Sequence, residues 1–168
     1  MKHITKVFAL AIVAIGFSTQ VNAQATASAS ASATIVTPIS ITKTVDLNFG
    51  NVGASGTAGT VVISPAGVRS TTGGVSLPAT AGTVAAASFD VAGEANYTYA
   101  ITLPASVTIS SGANNMTVNA FTSTPSATGT LSALGAQTVT VGATLNVGAS
   151  QASGVYTSGT SFDVTVNY

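Results

Sequence analysis

The chain has 168 residues, with four basic and four acidic side chains, a formal net charge of zero, and no cysteine or tryptophan. So few cations form no basic patch for a phosphate backbone, which excludes nucleic-acid binding. Without cysteine there are no disulfides, so burial and backbone pairing must stabilise the fold.

A secretory signal peptide is predicted over residues 1–23. Basic side chains precede an apolar run at 7–17, and Val21-Asn22-Ala23 fits a small-residue cleavage site. We therefore expect export through the Sec pathway and a mature protein that begins at Gln24. We expect the mature chain to pass through the periplasm and to reach the cell surface or the extracellular space.

Beyond residue 23, apolar side chains recur with the period of two that is typical of strands. The clearest alternating segments cover 97–103 and 139–147, and turn residues such as those at 112–115 separate many short runs. This pattern predicts an all-β domain, either a sandwich or a barrel, over residues 35–168. Pro38 predicts a bend or an edge strand, since proline cannot donate to a central ladder.

Two local features carry more specific predictions. Gly73-Gly74 predicts a break between a polar loop and a strand at 75–77. Met116, Val118 and Ala120 alternate, which predicts that their side chains share one face of a strand.

The N-terminal extension, residues 24–34, alternates small apolar and hydroxyl residues. In a strand, one face would carry Ala25, Ala27, Ala29, Ala31 and Ala33. We interpret the segment as a candidate donor strand; the other interpretation is an untethered tail.

The C-terminal strand also alternates, with one face formed by Phe162, Val164, Val166 and Tyr168. The simplest interpretation is an ordinary closing strand. A membrane β-barrel also ends on such a strand, but the chain has no tryptophan and few tyrosines for aromatic girdles. A sandwich that lacks one strand would expose a groove, which a neighbour could fill by β-augmentation.

The residues that usually carry chemistry are scarce. The only histidine, His3, lies in the predicted signal peptide, so no general base of the usual kind remains. We predict no catalytic, metal-binding or cofactor-binding site and no enzyme activity. The weaker alternatives were the carboxylate pair Asp90 and Glu94, a calcium site at Glu94 and Asn96, a ligand-binding Arg69, and a sugar platform at Tyr97 and Tyr99. Arg69 is better interpreted as a donor to loop carbonyls or to a lone acid, and the tyrosines as core.

Four segments resemble the bacterial domain of unknown function 4402 family: Asp46-Leu47-Asn48-Phe49-Gly50-Asn51-Val52, residues 65–74, residues 93–104, and Gly154-Val155-Tyr156 with the C-terminal run 164–168. The layout more loosely resembles the spore-coat-U-like pilins of archaic chaperone–usher systems. The resemblance implies an exported immunoglobulin-like, pilin-like β-sandwich, a PapD-like periplasmic chaperone with an usher, and a fimbrial role in cell adhesion by a Gram-negative bacterium.

From the sequence we expect a structural subunit of a fimbria or pilus-like filament, assembled by donor-strand exchange with copies of itself or related subunits. Residues 24–34 and the C-terminal strand are the expected subunit and chaperone interfaces. The alternative is a monomeric secreted or surface-coat protein whose extension completes its own fold. An outer-membrane β-barrel is a further alternative.

Overall fold

The computed structural model describes residues 23–168. Residues 35–168 form one compact unit, and residues 23–34, which belong to a separate unit, contain no helix or strand. The predicted signal peptide lies outside the described residues except for Ala23. Within residues 23–168, no helix is long and apolar enough to cross a membrane.

The compact unit consists of strands, and the described residues contain no helix. The strands are β1 (Ser40–Val45), β2 (Asn48–Phe49), β3 (Gly53–Ile63), β4 (Arg69–Ser76), β5 (Val84–Ala85), β6 (Ala87–Ala92), β7 (Thr98–Thr102), β8 (Ser106–Ser111), β9 (Asn114–Thr124), β10 (Thr128–Thr130), β11 (Ala136–Val147), β12 (Thr157–Ser158) and β13 (Thr165–Asn167). The prediction of an all-β protein is therefore confirmed.

A large antiparallel sheet is organised around β11. One edge of β11 pairs with β9, and the other pairs first with β6 over residues 136–141 and then with β3 over residues 143–147. The path runs β1-β6-β11-β9-β8-β12, while β4 pairs with β3. Antiparallel β10-β7-β13 forms a second sheet, and β2 and β5 form a two-stranded third.

Two apolar clusters lie along β11. The first joins β6 and the first half of β11 to β7 and β13 of the second sheet, with Tyr99, Leu131 and Val139 fully buried. The second lies on β3, β9 and the last part of β11, with Val61, Ile63 and Leu145 buried. Two sheets packed through buried faces are compatible with an immunoglobulin-like sandwich.

Two local predictions are wrong. Gly73 and Gly74 lie inside β4, because their missing side chains let this strand pass close to the backbone of β3. Ala120 does not share a face with Val118: it is exposed with a φ of 48°, beside a register irregularity in the pairing of β9 with β11. This bulge shifts the alternation by one residue, so that Phe121 packs against both clusters.

Candidate functional site

The second apolar cluster is covered differently from the first. Strands of the second sheet pack on the first cluster, whereas the residues that pack on the second cluster from outside the large sheet lie in 47–52 and 84–86, where strand pairing is short. Residues 45–54 and 151–162, near this cluster, contain the end of β1, the two-residue strands β2 and β12 and the start of β3. The second cluster is therefore covered by loops and two-residue strands and not by a continuous sheet.

An apolar groove of about 920 Å³ lies at this position. Half-buried side chains of β8 and β9 and buried ones of β9 and β11 form its floor: Val107, Ile109, Met116, Val118, Leu145 and Val147. We call residues 45–54 the first wall and residues 151–162 the second wall. Leu47 and Phe49 contribute apolar surface to the first wall, and Val155 and Phe162 to the second.

The first wall is held by the side chain of Arg69. Its guanidinium donates hydrogen bonds to the backbone carbonyls of Phe49 (2.7 Å) and Asn51 (2.8 Å). The backbone N–H of Asn51 also donates to the carbonyl of Ala81 (2.7 Å). The prediction that Arg69 ties loop carbonyls together is confirmed, and its effect is to fix one side of the groove.

The second wall is held mainly by its own side chains. The amide of Gln151 donates to the hydroxyl of Tyr156 (2.8 Å), which donates to the carbonyl of Ala152 (2.7 Å). A backbone bond from Ser150 to the carbonyl of Ser55 (2.7 Å) joins the segments that flank the walls. Among the described residues no strand ladder joins the two walls themselves.

Backbone groups near the groove have few ladder partners. On its outer edge β8 pairs only through Ile109 and Ser110, with the short β12. Strand β13 pairs with β7 and with no second strand of the described chain. A smaller cleft of about 640 Å³, lined mostly by hydroxyl side chains, lies along the rest of the β8 edge. Unpaired edges beside an apolar floor are the features that accept an added strand.

The groove carries almost no charge. Its charged lining residues are Lys43 and Asp46, whose side chains form an exposed ion pair at 2.6 Å. No group of three or more histidine, cysteine or carboxylate side chains is placed to hold a metal within residues 23–168. The groove therefore presents an apolar floor and uncharged polar side chains, among them Asn48, Gln151 and Ser161, to an occupant.

The predicted C-terminal residues have different environments. Val164 and Val166 are buried in the first cluster. Phe162 is partly buried, and its ring packs at 6.4 Å from that of Phe89 and 5.0 Å from that of Phe121. Tyr168 is about half exposed and lies edge-on to Tyr97. Phe162 thus links the first cluster to the groove, whereas Tyr168 lies outside the core.

The hydroxyl of Tyr168 belongs to a hydrogen-bonded link that we call the terminal latch, formed by Thr37, Glu94 and Tyr168. The Tyr168 hydroxyl donates to the carbonyl of Thr37 (3.0 Å) and accepts from the backbone N–H of Glu94. The Thr37 N–H donates to the Glu94 carboxylate (2.7 Å). The latch fixes both ends of the domain to the turn after β6.

Replacing Glu94 with Gln is expected to remove a pH-dependent contribution to folding stability. The bond from the Thr37 N–H favours the carboxylate and lowers the pKa of Glu94 below its usual 4.5. The contribution is therefore present above about pH 4.5 and lost as the pH falls through the folded-state pKa. In thermal unfolding, the wild type should have a higher melting temperature than E94Q at neutral pH, and the difference should shrink in acid. A difference that does not change with pH would contradict this role.

The other candidate residues do not form a site. Asp90 accepts a hydrogen bond from Thr138 (2.9 Å), while Glu94 belongs to the terminal latch. Tyr99 is buried and donates to Gln137 (2.7 Å), so it offers no surface beside the half-exposed Tyr97. The tyrosines therefore do not form a shared sugar platform. Asn96 lies in the turn with a φ of 63°.

The predicted donor alanines, from Ala25 to Ala33 at odd positions, lie in residues 23–34, which form no strand in this single chain. The walls of the groove were not predicted as a site. Two segments that carried the family resemblance, residues 46–52 and 154–156, nevertheless lie in opposite walls. Their composition gave no signal that they face one another, since that depends on long-range strand pairing.

A family model described as a domain of unknown function (DUF4402) matches residues 39–168. No curated protein and no solved structure matches the chain. The matched residues include the large sheet, both walls of the groove and the C-terminal strand.

Proposed function

The chain belongs to the DUF4402 family, whose description names no activity, and we propose that it is a structural subunit of a fimbria or pilus-like surface filament. Residues 24–34 of one copy supply a strand to the apolar groove of another copy. The observation that carries the proposal is the groove itself, which has an apolar floor and lies between two walls that no ladder joins among the described residues. Repetition of a head-to-tail contact of this kind grows a filament.

The chemistry of the groove supports a strand as the occupant. A strand can pair its backbone with unpaired edges while alternate side chains enter the floor. Exposed edges of this kind also favour non-specific association, so a specific occupant protects the protein. The groove volume of about 920 Å³ is too large to be a packing defect of a native core.

The composition of residues 24–34 is complementary to this groove. The segment contains no charged residue, and the groove has no unpaired charge for it to neutralise. Alanine methyl groups bury little area, so at about 25 cal/mol per Å² they contribute weakly. Backbone pairing must therefore provide much of the affinity, which suits a shallow strand with small side chains.

The proposal includes the route to the surface. The predicted signal peptide supports export through the Sec pathway, and a PapD-like periplasmic chaperone would cover the groove before an usher assembles the subunits. These partners follow from the resemblance to chaperone–usher pilins. No enzyme activity and no cofactor belong to the proposal.

Introducing an aspartate at Ala29 is expected to weaken assembly at least about 100-fold, because this side chain would face the apolar floor and burying its charge costs several kcal/mol. Ser30→Asp is the matched control: it adds the same charge to the neighbouring residue, which faces the other side of a strand. Sedimentation velocity across a concentration series measures both. Equal effects of the two changes would contradict strand insertion.

The monomeric alternative predicts a different outcome for the variants Ala29→Asp and Ser30→Asp. If the extension completed its own fold, Ala29→Asp would lower the melting temperature of a species that stays monomeric at every concentration. This alternative is excluded if the wild type assembles and if Ala29→Asp leaves the melting temperature of the subunit unchanged.

A further inference from the structure

The terminal latch lies at one end of the large sheet. Glu94 lies two residues after Ala92, the last residue of β6. Ala92 pairs both with Ser40 at the start of β1 and with Ala136 at the start of β11. Because Thr37 is bonded to Glu94 and Tyr168, the chain preceding β1 leaves the compact unit here. We call this end the exit pole.

The apolar groove lies toward the opposite end. Its floor includes Leu145 and Val147 at the end of β11, and its first wall begins where β1 ends, at Val45. At about 3.3 Å per residue, the nine steps from Ala136 to Leu145 along β11 cover about 30 Å. Strand β1 thus runs from the exit pole toward the groove, and Thr37 is held at the pole away from the groove.

This polarity favours donation to a second copy. To reach its own groove, the extension would have to run back along the domain from Thr37 toward the end of β11. Eleven extended residues, 24–34, reach about 36 Å, so most of the segment would be used in covering the distance. A second copy stacked on the exit pole requires no reversal.

Ile35 has an environment that the fold of one chain does not explain. Its side chain is 97% exposed, whereas Ile39 and Ile41 pack against the first apolar cluster. It continues the odd-numbered series of Ala25 to Ala33, so in a strand it would share their face. It also lies only two residues before Thr37, where the terminal latch fixes the chain.

From this position we infer that Ile35 is the apolar anchor of a head-to-tail joint between copies, and that it packs at the groove of the next subunit as the last residue of the donated strand. The inference rests on the proposed function and adds the residue that fixes the joint. The terminal latch sets the direction in which the strand leaves, and Ile35 supplies the large side chain that the alanines lack.

The test measures assembly of the mature chain by sedimentation velocity over a concentration series. Ile35→Asp should raise the concentration for half-assembly at least about 100-fold, and Ile35→Ala about 10-fold, as expected for lost burial of a branched side chain. Ile35→Leu should remain close to wild type. The matched control is Val68→Asp, which places the same charge at an apolar residue that is 66% exposed outside the groove.

Each of the other outcomes overturns a defined part of the proposal. If Ile35→Asp assembles like Val68→Asp while Ala29→Asp does not assemble, strand donation stands and the anchor role is wrong. If Ile35→Asp lowers the melting temperature of the isolated subunit by several degrees, Ile35 belongs to its own fold and donation in trans is wrong. A wild type that stays monomeric throughout contradicts both the joint and the proposed function.

Discussion

Val166→Asp is expected to prevent stable folding. Val166 is 7% exposed in the first apolar cluster, and it pairs with Ile101 across the β7–β13 ladder. A carboxylate there has no cation in reach among the cluster residues. Burying an unpaired charge of this kind destabilises a domain by about 4 kcal/mol or more, a large part of the stability of a typical domain.

Thr165→Asp is the matched control, since Thr165 is exposed in the same strand. Urea unfolding of purified protein, or the soluble yield when folding fails, measures the effect. The control should keep wild-type stability within about 0.5 kcal/mol. If Val166→Asp were as stable as the wild type, the C-terminal strand would not be part of the core.

Gly142→Val is expected to destabilise the domain by about 3 kcal/mol or more. Gly142 lies where the partner of β11 changes from β6 to β3, between Val141, paired with Ala87, and Ala143, paired with Ile63. A Cβ atom there would overlap the backbone carbonyl of Ile63 and the chain that follows it. Backbone cannot move aside as a flexible side chain can. The end of β3 would therefore be pushed away from β11 at this position.

Gly56→Val controls for the general effect of replacing a strand glycine. A Cβ atom at Gly56 would meet no atom within 4 Å. Branched side chains favour extended backbone, so the control should be neutral or slightly stabilising. Equal destabilisation by both changes would contradict the close approach at Gly142.

Much of the strand content was predictable because alternation reports which side chains share a face. The series Val139, Val141, Ala143, Leu145 and Val147 is buried throughout β11, as the pattern predicts. Alternation does not indicate which strands pair with one another, however. That β11 shares one edge between β6 and β3 depends on residues far apart in the chain, with no local signal except the glycine at the transition.

The candidate site was less predictable than the fold. The alternation of the extension and of the C-terminal strand led to the hypothesis of strand exchange, but it did not show where a groove would lie. Arg69 was expected to bind loop carbonyls, yet the loop was identified as a wall of the groove only by the positions of Phe49 and Asn51. The exposure of Ile35 and the terminal latch both depend on tertiary contacts between distant segments.

Because the chain contains no cysteine, single-cysteine variants can test the central claim directly. Copies carrying only Ala29→Cys are mixed with copies carrying only Met116→Cys, under oxidising conditions, and the mixed disulfide is measured by non-reducing electrophoresis and mass spectrometry. Such a bond must join two molecules. Ala27, Ala31 and Ala33 are tested in the same way, since the register of the inserted strand is not assumed.

We predict a disulfide-linked dimer between at least one of these alanine positions and Met116, a residue of the groove floor. Its yield should exceed that of Ser30→Cys with Met116→Cys, and that of Ala29→Cys with Leu134→Cys outside the groove. Equal yields in all pairs, or no dimer from any alanine position, would contradict the insertion of one copy's extension into the groove of another.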